Sequence, residues 1–211
     1  MIPSITQNES HPVYQELAIE NGSRQYDFLQ SIVKASINIQ RPLLSQGVIK
    51  ALNFHAIACL HGNAGEYRPC AVQVGNSYIP PDYYRVGPLM EDFVNQVNLW
   101  WDRTDPVYLA SFILWRLNHI HPFINGNGRT ARAACHFALC VKMGGWIAGD
   151  PILPQLLARE RVDYVSALKI ADQSAANGAL DLTSLHALIS KLLTEQINAN
   201  AIVVPQESAS P

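Results

Sequence analysis

The chain has 211 residues, 48% of them hydrophobic and 15% charged, a balance that suits a globular domain with an ample core and excludes a disordered chain. Its formal net charge of −2 argues against broad binding to nucleic acid, and no apolar run reaches the roughly 18–20 residues that span a bilayer. The opening MIPSITQNES has neither a basic leader nor an apolar centre, so a cytoplasmic protein is expected, with leaderless secretion left open.

The predicted elements are mostly helical. YQELAIE (14–20) and YDFLQSIVKASI (26–37) carry apolar residues at three- and four-residue spacing, and NGS between them reads as a turn. SQGVIKALNFHAIACL (45–60) is a further helix with Ser45 as N-cap. CAVQVGNSYIPP (70–81) then alternates short β-prone runs around Gly75-Asn76 and predicts a hairpin closed by two prolines. Helical periodicity returns from Val86 to Trp101. DPVYLASFILWRLNHI (105–120) starts with Asp105 as N-cap and Pro106 at the first helical position, and is apolar on nearly every side, which marks the buried centre. GRTARAACHFALCVKM (128–143) runs to Gly144-Gly145. Helices near 156–172 and 181–197 complete the packing, and VVPQESASP reads as a frayed tail.

The four cysteines form no CxxC pair and are expected as reduced core thiols. His55 and His61 in HAIACLH are too irregularly spaced for a metal set and are expected in the core or on the surface. Trp100, Trp101 and Trp115 fall on apolar helical faces and are expected in the core.

Chemistry concentrates in HIHPFINGNGRTAR (119–132), set between the buried helix and the next one. The start of a helix has unpaired N–H groups and the positive end of the dipole, which together favour an anion. Gly126-Asn127-Gly128 permits unusual backbone angles and removes obstructing side chains. Arg129 and Arg132 are three apart and share a helical face, and guanidinium forks suit phosphate oxygens. The anion expected is a polyphosphate. His121 precedes this cradle, with Phe123 as a buried anchor, and an imidazole there can take a proton from an attacking hydroxyl.

HPFINGNGRTAR resembles the Fic motif H-x-F-x-[D/E]-G-N-G-R-x-x-R, matched at every specified position but one. AGEYR (64–68) resembles the family's G-x-[YF]-R segment, VQVGNSYIPP its flap hairpin, and YVSALKIAD its helix after the motif. The resemblance implies a mainly α, Fic-type helical bundle with a short β-hairpin flap over the active site. On that basis residues 1–44 are an N-terminal helical segment, 45–198 the Fic core, and 199–211 a flexible tail.

It also implies a protein adenylyltransferase that moves AMP from ATP to a Ser, Thr or Tyr hydroxyl of a target protein. His121 is then the general base. Gly126, Asn127 (with its side chain) and Gly128 form the anion cradle, and Arg129 and Arg132 hold the β- and γ-phosphates. The departure is Asn125: the family has a carboxylate there that binds Mg²⁺, and an amide oxygen offers a hard cation no negative charge. Weak metal binding through Asn125, a lower rate or a different transferred group is expected, and a nucleotide-binding module with lapsed chemistry is the alternative. The target protein, or the enzyme itself, would dock at the flap beside Tyr78, Ile79, Pro80 and Pro81. Glu20 in ELAIEN (16–21) partly matches the family's inhibitory pattern [S/T]-x-x-x-E-[G/N], whose glutamate pairs with the second motif arginine; Glu16 stands at the Ser/Thr position.

Overall fold

The computed structural model describes residues 8–41, 44–75 and 78–201. The opening stretch 1–7, the Asn76 half of the predicted hairpin turn and the tail from 202 onward lie outside the described residues. The chain divides into two compact units, Met1–Trp146 and Ile147–Pro211.

In the first unit, α1 (Pro12–Asn38) is one continuous helix of 27 residues, where the sequence predicts two helices parted by NGS. The His11 ring accepts from the Val13 N–H and Pro12 opens the first turn. Tyr14, Asn21, Leu29, Ile32, Val33 and Ser36 line its buried face. Asn21 lies on that face and its side-chain N–H donates to the Ala58 carbonyl at 2.8 Å. Tertiary pairing of Asn21 therefore outweighs the ~1 kcal/mol helix penalty of the neighbouring Gly22.

α2 (Gln46–Ile57) begins as predicted, with Ser45 accepting from the Val48 N–H at 3.2 Å. It stops at Ile57, three residues before the predicted end, and Cys59 turns the chain with a φ of 64°. The predicted hairpin is reduced, among the described residues, to one antiparallel bridge between Val74 and Tyr78. A short 3-10 turn (Tyr83–Arg85) leads into α3 (Val86–Trp100).

α4 (Pro106–Ile120) has the predicted Asp105 cap, accepting from the Tyr108 N–H at 2.9 Å, and is buried without a break from Leu109 to Trp115. Each such apolar side chain removed from water contributes roughly 1.5–3 kcal/mol, which is why this helix is the centre of the unit. α5 (Asn127–Lys142) packs along α4, α1 lies against α2 and α5, and α3 packs on α4. α5 ends before Gly144, whose φ of 80° suits glycine. Cys135 and Cys140 are buried as predicted, but Cys59 and Cys70 are exposed because they stand on the irregular segment after α2. Trp101 and Trp115 are buried and Trp100 is half-buried.

In the second unit, α6 (Leu153–Arg159), α7 (Arg161–Ala176) and α8 (Thr183–Ala201) pack together. The sequence predicts one helix across 156–172. The chain instead breaks at Glu160, whose ψ of 42° leaves the helix, while its N–H donates to Leu156 and its carbonyl accepts from Tyr164. No glycine or proline marks that break. Buried Gln196 ties the start of the unit to its last helix, accepting from the Leu153 N–H and donating to the Ile147 carbonyl. Among the described residues no helix is long and apolar enough to cross a membrane.

Candidate active site

The loop from α4 to α5 holds the residues that the sequence singles out. His121 ends α4 in the left-handed conformation, φ 52° and ψ 58°, with its N–H on the Leu117 carbonyl at 3.0 Å. Such angles are uncommon for a non-glycine residue. They reverse the chain so that Pro122 and Phe123 turn inward. Phe123 is 1% exposed, the predicted anchor, and its ring sits 5.7 Å from that of Tyr67. Asn127 closes the loop: its Oδ1 accepts from the Phe123 N–H at 2.9 Å and its Nδ2 donates to the Phe123 carbonyl at 2.8 Å. The side chain that the sequence assigns to a phosphate is thus committed to the loop itself, with only 4% of Asn127 exposed.

Gly126 takes φ 77° at the start of α5. A Cβ there would lie 2.8 Å from Ile57 and 2.9 Å from Asn53 Nδ2, so both conformation and space demand glycine. The Gly126 carbonyl accepts from the Thr130 N–H and hydroxyl, each at 2.9 Å. Buried Asn53 supports the same loop from α2. Its Nδ2 donates to the Asn125 carbonyl and the Thr130 hydroxyl, and its Oδ1 accepts from the Gly65 N–H at 3.0 Å.

Arg129 reaches back to α2, where Nη1 donates to the Ala56 carbonyl at 2.7 Å. Its Nη2 is 3.4 Å from Asn125 Oδ1. The Arg132 guanidinium lies across Gly128, 3.2 Å from where a Cβ would stand. His121 is half-buried, and desolvation holds its imidazole down to about 4, from an ordinary 6.5; a hydrogen bond to the Asn118 backbone pulls the other way, and the Arg68 charge adds to the lowering. The ring is therefore neutral at physiological pH, the state a proton acceptor needs.

Asn125 Oδ1 also accepts from the Gly126 N–H at 2.6 Å. An amide oxygen already facing an N–H and a guanidinium does not fit a magnesium ion, and no group of three or more His, Cys, Asp or Glu among the described residues could hold a metal. His55 stacks on Phe28 and His61 caps the Asn63 N–H.

Two supporting residues escaped the sequence reading as such: Asn53, and Arg68 as more than part of AGEYR. Arg68 is 3% exposed and its Nε donates to the His121 carbonyl at 2.8 Å. A polar side chain deep in an apolar helical pattern was the available signal for Asn53. On the flap side, the Tyr78 hydroxyl donates to the His119 carbonyl at 2.7 Å, which joins that segment to the end of α4. Ile79 is 79% exposed, but Pro80 is buried and presents no surface to a partner. Glu20 lies on the exposed face of α1, paired with Arg24 at 3.0 Å.

Residues 43–139 match the model of the Fic/DOC family. The protein adenylyltransferase Fic of Drosophila melanogaster is 36% identical over 112 residues, 52% of this chain and 21% of that one. The chain thus spans about a fifth of the length of the curated relatives it matches. A Fic domain containing signaling protein from Bacteroides thetaiotaomicron shares the fold with a TM-score of 0.66 and 24% identity, over 87% of this chain and 70% of that one. Fic-1 (residues 134–508) from C. elegans does so with a TM-score of 0.69 and 20% identity, over 93% and 55%.

Proposed function

We propose, since residues 43–139 match the model of the Fic/DOC family, that the chain is a nucleotidyltransferase that moves AMP from ATP onto a Ser, Thr or Tyr hydroxyl of a target protein. The observation that carries this reading is the 121–127 loop. A neutral imidazole and the start of α5 are held in one frame by the Asn127–Phe123 clamp and by Gly126. The adenylyltransferase names of relatives at about 36% identity support the same reaction class.

In the reaction, the acceptor oxygen attacks the α-phosphorus of ATP while His121 takes the hydroxyl proton. The bond from the α-phosphorus to the bridging oxygen breaks, and pyrophosphate leaves. The unpaired N–H groups of the first turn of α5 and the guanidinium groups of Arg129 and Arg132 balance the charge that develops on the leaving group. The work is positioning and charge neutralisation by this chain's own donors.

A second reading has its own support. Asn125 faces Arg129 and the Gly126 N–H rather than offering a free carboxylate, which favours a nucleotide-binding module whose transfer chemistry has lapsed. One experiment separates the two. Incubation of the purified chain with ATP labelled at the α-phosphate should yield covalently labelled protein, and His121→Ala should abolish the label. Binding of ATP without label in the wild type would establish the module instead.

A further inference from the structure

The 70–81 segment and the 121–127 loop are remote in sequence, and one buried side chain joins them. Arg68 Nε donates to the His121 carbonyl at 2.8 Å, Nη1 to the Cys70 carbonyl at 3.1 Å, and Nη2 to the Pro81 carbonyl. The backbone N–H of Arg68 donates to the Pro122 carbonyl at 2.8 Å. One residue therefore touches both ends of the flap-side segment and two successive carbonyls of the loop. These partners are main-chain oxygens, so the guanidinium fixes backbone geometry; Asp82 adds a weaker charge attraction. The planar fork addresses three carbonyls at fixed angles, which a lysine ammonium on a flexible stem cannot do.

His121 is the residue whose carbonyl Arg68 grips, and its left-handed backbone is intrinsically unfavourable. A strong bond to that carbonyl helps to hold the conformation and with it the direction of the ring. Tyr78 adds a second tie from the same segment, at the His119 carbonyl.

We propose that Arg68 is a positioning residue that couples the segment receiving the acceptor hydroxyl to the base His121. It sets the distance between acceptor and base without touching either reacting group. The inference rests on the proposed function, with His121 as base and the acceptor received at the 70–81 segment. A misplacement of about 1 Å at such a site costs on the order of a hundredfold in rate, although donor binding at α5 is untouched.

The test uses the full chain with Arg68→Lys and Arg68→Gln, labelled ATP, calorimetry and amide hydrogen exchange. Both variants should keep their helical signal and bind ATP within about twofold of wild type, yet label about a hundredfold more slowly. The amides of Val74, Tyr78 and Phe123 should lose protection together, while those in the middle of α4 keep it. If Arg68→Gln labels at the wild-type rate while His121→Ala does not label, the coupling is wrong and the base stands. Loss of ATP affinity in proportion to labelling, or loosening of only one of the two segments, would also overturn it. If His121→Ala labels normally, the base and its positioning residue fall together. Should Arg68→Gln not fold, Arg68→Lys carries the test, and failure of both to fold makes Arg68 a residue of the fold alone.

Discussion

Single residues decide whether the loop can exist. Gly126→Ala would place a methyl group 2.8 Å from Ile57 at a φ of 77°, and we expect a loss of about 2–3 kcal/mol in chemical denaturation together with loss of ATP-dependent labelling. Asn125→Asp puts a carboxylate where Oδ1 now accepts from Gly126 and faces Arg129. It should raise the labelling rate and make it depend more steeply on Mg²⁺; no gain in either would remove the explanation given for this position. His121 and His136 are both held down to about 4 by burial, against an ordinary 6.5. The unfolded chain takes up these protons first, so their stabilisation is full above about 6.5 and is lost as pH falls toward 4. His136, whose Nδ1 is buried without a partner, gives the cleaner test. In His136→Leu the denaturation midpoint should fall less than in the wild type between about pH 7.5 and about pH 5.

At the scale of elements, caps and burial pull in different directions. α4 is set by local signals, and Asp105→Ala should cost about 1 kcal/mol through the lost bond to the Tyr108 N–H, read from thermal or chemical unfolding. α1 runs through Asn21-Gly22-Ser23 with Asn21 paired to Ala58, so its continuity is supported by a tertiary contact at α2's exit that the local turn signal does not carry. The same continuity places Glu20 on the solvent side beside Arg24. Glu20→Ala should therefore leave labelling and ATP affinity unchanged, and a marked rise in labelling would restore the inhibitory role that the sequence pattern suggests. The pair itself is exposed and worth little to stability.

Across the molecule, each unit carries its own core and its own buried polar tie. In the first, Asn53 joins α2, the 64–68 turn and the start of α5. In the second, Gln196→Leu would leave the Leu153 N–H and the Ile147 carbonyl without the partners they have now. We expect a cost of about 2–3 kcal/mol, seen as faster amide exchange at Leu153 and an earlier unfolding transition.

The sequence by itself determined the helical class, the start of α2 and α4, the end of α5 and the place of the loop. Caps, periodicity and glycine act over a few neighbouring residues, so they are written locally. It also marked His121, Gly126 and the two arginines, because a tight loop before a helix demands particular residue types. Only the tertiary structure decided that α1 is unbroken, that Glu160 interrupts a helix without a breaker residue, and that the Asn127 side chain serves the loop rather than a ligand. It alone gave Arg68 and Asn53 their roles. Those outcomes depend on which carbonyls come within reach after folding, and buried polar groups must take whichever partners the packing brings them.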